Sequence, residues 1–356
     1  MNTKRRSVTL LLTALAGIAG IAAVAAMALA GSSDRRELNG TIWVANRGAN
    51  TIRGFDAATG QVVHTWPMAP NSQPGDLAFA KGKLYVSEEF GAAPALAVVD
   101  PESGEVLKRF FATGITDRPH HVHASRGGSL VSFGLYGTDM VGVVDTRTDT
   151  LLGPWDTNPD TTNGRAHAGV FSPDGKTLYV ASDATSELIA LDPRTGELLW
   201  RLVVPNAHEL AITRDGKTAY VSARTGSAIR IVDLERRLVS ASFALGPTPD
   251  TLQLSPNDKL LTVGLRGTPA QVAVVDTQTL DYEIVKIGPP GNTTTIAGHQ
   301  WTSTNGHFTF AAFEGPGAGV AVIDHREGNA VVQTLDYPGR PHGVTFARPA
   351  EESDDD

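Results

Sequence analysis

An all-β, seven-bladed β-propeller is predicted by three features of the chain. Seven hydrophobic runs end in aspartate, at Asp56, Asp100, Asp145, Asp192, Asp233, Asp276 and Asp324, with spacings of 41 to 48 residues. Tight-turn sequences follow several of them: DAATG at 56–60, DPESG at 100–104 and DPRTG at 192–196. The runs between are short, apolar and β-branched, and no helical pattern interrupts them. A repeat of that length, built from short strands and Gly/Asp turns, is the mark of a four-stranded propeller blade.

The N-terminal 30 residues stand apart from the repeat. Lys4, Arg5 and Arg6 precede an apolar stretch from Val8 to Ala30, and Ala28-Leu29-Ala30 offers a small-residue cleavage site. This is the layout of an export signal. Left uncleaved, the stretch is long enough to anchor the chain in a membrane. The paired arginines also admit a twin-arginine route. Residues 31–39 read as a polar linker, 40–348 as the propeller and 349–356 as an acidic, disordered tail. The expected location is therefore periplasmic, secreted or envelope-associated.

Blade four shows the unit most clearly. Its first strand is expected over about Ala168–Phe171. SPDG then turns the chain, with Gly175 free to take a positive φ. TLYVAS and ELIALD form the second and third strands, DPRTG turns again, and ELLWRLVV is the fourth. Packing such sheets around an axis buries both apolar faces. The N-terminal unit has only three strands, starting at Thr41–Asn46, whereas RPHGVTFARP at the C-terminal end is a lone first strand. The simplest closure places that segment in blade one.

The second-strand segments LYVSE in blade two, LYVAS in blade four and AYVSA in blade five carry a family resemblance. They are similar to the motif that names the YVTN family of bacterial propellers, and the resemblance extends over about residues 40–348. It implies the propeller fold. It leaves the function open, because that family includes binding proteins and enzymes.

Histidine placement is the functional signal. Aligning the blades on the residue before the first turn (Phe79, Ala124, Phe171, Ile212, Leu254, Ser303 and Phe346) leaves one slot four residues earlier. That slot holds Gly75, His120, His167, His208, Asp250, His299 and His342. First strands line the channel, so these side chains are expected together at one mouth. The repeated aspartates end third strands and belong to the opposite face. Imidazoles joined by a carboxylate suit zinc or copper. The best cluster by sequence is His120, His167 and His208 with Asp250. The alternative reading is a structural or solvated ring whose histidines satisfy neighbouring backbone groups.

Arg118, Arg165 and Arg340 each stand two residues before a ring histidine, and Arg47 joins them from a second-to-third-strand loop. Arginine forks match carboxylates and phosphates, so a small anionic ligand is the second expectation. Ordinary surface charge is the alternative. Blade three, RPHHVHASRGGSLVSFGLYGTD, also resembles the seven-bladed lactonase family. That resemblance implies roles for His121, His123 and the Gly137-Thr138-Asp139 turn. It makes Glu88 or Glu89 a candidate acid or base. Histidine and glutamate at the channel mouth are likewise what streptogramin-lyase propellers use.

Composition limits the remaining classes. The chain has no cysteine, which excludes disulfides and thiolate metal sites. Loss of the leader with Lys4, Arg5 and Arg6 would take the formal charge from −8 to −11, a poor surface for nucleic acid. The expected protein is a monomeric binding propeller for a metal ion or small molecule. A lactonase- or lyase-like enzyme and an envelope interaction scaffold, with an envelope protein as its partner, are the alternatives.

Overall fold

A computed structural model describes residues 38–111, 118–158, 165–246, 248–289 and 297–348. The leader, nearly all of the linker and the acidic tail lie outside the described residues. Seven antiparallel sheets follow one another around an axis, as the repeat predicts. Blade four is typical, with strands Ala166–Phe171, Leu178–Ser182, Glu187–Leu191 and Leu198–Val203. Its first strand begins two residues earlier than expected and so includes His167. In blade three the fourth position is split into two short pieces, Thr150–Leu151 and Trp155–Asp156.

The ring closes as a permuted blade. Pro341–Ala347 pairs with Thr41–Asn46, which continues through Thr51–Asp56 to Val62–Pro67. Asn46 fastens the crossover. Its side-chain oxygen accepts from the amides of Ala49 and Arg340, while its Nδ2 donates to the carbonyl of Pro338. Every boundary between neighbouring blades carries a buried apolar cluster. The boundary created by closure, between blades seven and one, joins Phe308, Phe310 and Val320 to Ile42, Phe55 and Phe346. Closure is thus packed as well as hydrogen-bonded.

The seven repeated aspartates end third strands and cap the turns that follow. Asp100 accepts from the amides of Glu102 and Ser103, and Asp192 from those of Arg194 and Thr195. An aspartate that ties up its own turn explains why the residue recurs at one point in each blade. As expected, these carboxylates stay away from the histidines.

A second regularity was not expected. Each of the seven first strands shifts register near its start, for example between Pro74 and Leu77, His120 and Val122, and Ala207 and Leu210. The shift is a β-bulge, which places two adjacent residues where a regular strand would place one. Two consecutive side chains can then meet the channel, as His120 and His121 do in blade three. The second strands hold the bulges open. Ser87 Oγ accepts from the amide of Asp76 at 2.8 Å, and Ser222 Oγ from that of Glu209 at 3.1 Å. The serine of the YVS-type motif thus fixes the residue next to the histidine slot.

Candidate functional site

The bulges stack the channel residues in two tiers. The outer tier contains Gly75, His120, His167, His208, Asp250 and His342. Apart from Gly75, all of these line one mouth cavity of about 220 Å³, as the sequence alignment predicts. His299 does not belong to that tier. In blade seven Thr302, not Ser303, pairs across to the second strand, and Ser303 opens the turn by bonding to the Phe308 carbonyl. The alignment was one residue out there, because Ser303 carries no apolar signal. The outer slot of blade seven is Gly298, and His299 falls in the deeper tier with Asp76, His121 and Glu209.

That deeper tier closes the neck of the channel. Below it lies a second cavity of about 230 Å³, lined among others by Asp76, His123, Glu209 and His299. Glu209 is 1 % exposed. Its oxygens lie 3.0 Å from His121 Nδ1, 3.5 Å from His123 Nε2 and 3.7 Å from His167 Nδ1. None of these atoms makes a hydrogen bond: both carboxylate oxygens and all three ring nitrogens are buried without one. An unsatisfied buried carboxylate is costly. The atoms approach one another yet are not aligned as donor and acceptor. The distances bracket the edge of a tetrahedron around zinc, about 3.3–3.4 Å for bonds of about 2.0–2.1 Å, and the ligand atoms of His121, His123 and Glu209 all lie within 4.8 Å of one another. On this observation the residues fit a metal ion.

Three groups of ligand atoms are close enough to share an ion: His120, His121 and His167; Asp76, His121 and His299; and His121, His123 and Glu209. His121 is common to all three. It occupies the bulge of blade three at φ 31°, a strained angle of the kind that collects at functional sites.

The outer tier is held from behind. His120 Nδ1 lies 2.8 Å from Glu89 Oε1, and Arg47 Nη2 donates to the same oxygen at 2.7 Å. Burial raises the Glu89 carboxyl, but His120 and Arg47 outweigh it and hold the group well below the usual carboxylate range. Gly75 makes this possible, since a Cβ there would collide with the Glu89 carboxylate. A carboxylate on one imidazole nitrogen leaves the other free to bind a metal.

His208 and Asp250 differ from the sequence expectation. His208 Nε2 lies 2.7 Å from Asp250 Oδ1, and its Nδ1 faces Asp183 at 3.6 Å. Arg266 also donates to Asp250, at 2.8 Å. Burial raises Asp250, but His208 and the arginines hold it well below its ordinary value. This pair is a closed ion network and, among the described residues, stands outside the metal-capable groups.

The remaining candidates divide clearly. Glu88 points away from the mouth, to Arg109 at 2.7 Å and the Ala69 amide. Arg340 pairs with Glu314 at 3.0 Å. Arg118 lies over the rings of Phe90 and Tyr136, and Arg165 over Tyr136. Gly137, in the Gly137-Thr138-Asp139 turn, borders the same groove. Asp76 and Glu209 were missed by sequence reasoning. They sit one residue beyond the aligned slot, and only the bulge turns them inward.

Burial and neighbouring imidazoles lower His121 and His167 well below the ordinary histidine value, burial and Arg47 do the same to His342, and burial lowers His299 and His325. For His123 and His208 burial acts the same way, but their carboxylate partners win and raise them. A lowered histidine binds protons less readily than in the unfolded chain. Its contribution is present above about pH 6.5 and lost as pH falls. The two raised groups act oppositely, contributing below about pH 6.5 and losing that contribution as pH rises through their folded values. Five against two, the metal-free protein is expected to melt at lower temperature as pH drops from 7 to 5. Calorimetric Tm measurements check this, and a Tm that climbs over that range contradicts it.

Fold and site together define a seven-bladed propeller with a histidine–carboxylate neck. The family described as outer membrane protein assembly factor BamB matches over residues 137–255. An "Uncharacterized protein YncE" from Salmonella typhimurium is 23 % identical over 246 residues, covering 64 % of this chain and 66 % of its own length. Among solved structures, the periplasmic gluconolactonase PpgL of Pseudomonas aeruginosa superposes with a TM-score of 0.68 at 20 % identity, over 87 % of this chain and 99 % of that one. A functionally unknown protein from Desulfotomaculum acetoxidans gives the same TM-score at 12 % identity, over 87 % and 99 %. At such identities the structural matches define the fold alone.

Proposed function

We propose that this is an exported binding propeller that holds a transition-metal ion, zinc or copper, at the neck of its channel. The ion exposes a face to a small anionic ligand at the arginine-lined mouth. The observation that carries the reading is the unsatisfied Glu209 carboxylate, with His121 and His123 close enough to share an ion with it. Neutral imidazoles and one carboxylate form a donor set suited to such an ion. The lowered value of His121 keeps its imidazole neutral at neutral pH, and an ion would displace the proton that Glu209 favours on His123. The basic, apolar leader supports export.

Elemental analysis of protein purified without a histidine tag tests this directly. One zinc or copper per chain is expected, with affinity tighter than micromolar by calorimetry after chelator treatment. Protein that carries no ion and binds none tighter than millimolar would leave the neck as channel lining.

A lactonase- or lyase-like enzyme at the same mouth is the second reading. The Glu89–His120 pair beside Arg118 favours it, as does the likeness in fold to a periplasmic gluconolactonase. Under that reading Glu89 and His120 carry proton transfer.

A further inference from the structure

The two cavities that meet at the neck carry opposite charge. The mouth cavity is lined by five arginines against two carboxylates, Glu89 and Asp250, which leaves three positive charges. Counting Glu314 and Asp183 behind them leaves one positive charge, with Arg340 itself exposed, against two negative charges in the chamber. The inner chamber contains Asp76 and Glu209 and, among the described residues, no lysine or arginine. Both chamber carboxylates are about 97 % or more buried, where fields are weakly screened.

His123 connects that chamber to the other end of the channel. It also lines a wider funnel of about 910 Å³, whose walls include Pro173 and Asp258 from the turns between first and second strands. Those turns lie on the face opposite the mouth. The His123 side chain is 27 % exposed, against 3 % for His121 and 2 % for Glu209. Three arginines, Arg126, Arg214 and Arg348, line the funnel, but all are exposed and so screened by solvent.

We propose that the metal cation reaches the neck from this far face, passing His123 first and then His121 and Glu209, while the arginine mouth admits the anion. The channel thus has a cation port and an anion port, and its ion meets its ligand from opposite sides. A cation is concentrated by the acidic chamber and repelled by the basic mouth. The metal-capable groups share His121, and a neutral imidazole offers one lone-pair nitrogen. One ion at a time is therefore expected at the neck. The route rests on the metal reading above.

Stopped-flow uptake of Zn²⁺ by the chelator-stripped full chain, followed with a chromogenic zinc chelator, tests the route. Gln253 lines both chamber and funnel. Gln253→Lys is expected to slow uptake roughly tenfold at low salt while the same charge added at the mouth, by Gln73→Lys, leaves the rate unchanged. Wild-type uptake should slow as ionic strength rises, because screening removes an attraction. That measurement stands even if Gln253→Lys fails to fold. A wild-type rate that increases with salt, or a folded Gln253→Lys with the wild-type rate, or a Gln73→Lys that slows uptake as much, overturns the far-face route and leaves the metal site intact. A wild type that binds no zinc at equilibrium removes both.

Discussion

Replacing His121 with alanine is expected to weaken zinc binding at least a hundredfold, more than any other single substitution in the channel. Loss of an outer partner that merely orients a ligand costs about 10–100-fold, and His121 is a direct candidate ligand. It is also the one residue common to every metal-capable group among the described residues, so no neighbouring set can replace it. The fold should tolerate the change. His121 lies in a bulge, outside the strand ladder, and takes no part in the apolar clusters between blades. His64→Ala is the control, since that ring stacks on Trp43 in blade one. Calorimetric titration of stripped proteins decides the matter. Equal zinc affinity in wild type and His121→Ala would place the ion elsewhere or nowhere.

The second large effect concerns the ring itself. A chain ending at Gly339 lacks Pro341–Ala347, the inner strand of blade one. Its loss leaves Thr41–Asn46 without its partner on the channel side. It also strips Val344 and Phe346 from the cluster at the closing boundary, and Phe346 from its stack with Trp301. Burial of side chains of that size stabilises by about 1.5–3 kcal/mol each. Each orphaned backbone group adds about 1–3 kcal/mol. Against a net stability of about 5–15 kcal/mol, these losses are expected to unfold the domain. Limited proteolysis and a thermal melt provide the readout. A soluble, cooperatively melting protein truncated at Gly339 would show that blade one stands without its closing strand.

The fold was legible because its signals repeat. Seven aspartates at one phase, each capping its own turn, set blade number and register. The missing first strand and the spare last one together specified closure. The alignment brought residues together where phase was preserved. His120, His167, His208, Asp250 and His342 share a mouth. It failed where geometry departs from the two-residue period. A bulge turns a second residue inward, so Asp76 and Glu209 looked like ordinary strand positions. Blade seven was misphased by one residue because Ser303 was taken for the last residue of its strand. The sequence puts His208 in a metal cluster because it cannot show that Asp250 already holds its Nε2.

The recurring bulge has a consequence for how such a protein diverges. It hands the channel two neighbouring positions in every blade, while the residues that weld blade to blade lie further along the strands. Chemistry and architecture thus occupy separate stretches of the same seven strands. Substitution at the bulges can change what the channel recognises while leaving the apolar boundaries in place, although Asp76 and Thr251 also bond to the next blade. Two propellers can then share nearly all of their backbone course while having no common ligand, and the bulge residues are where their difference should first be sought.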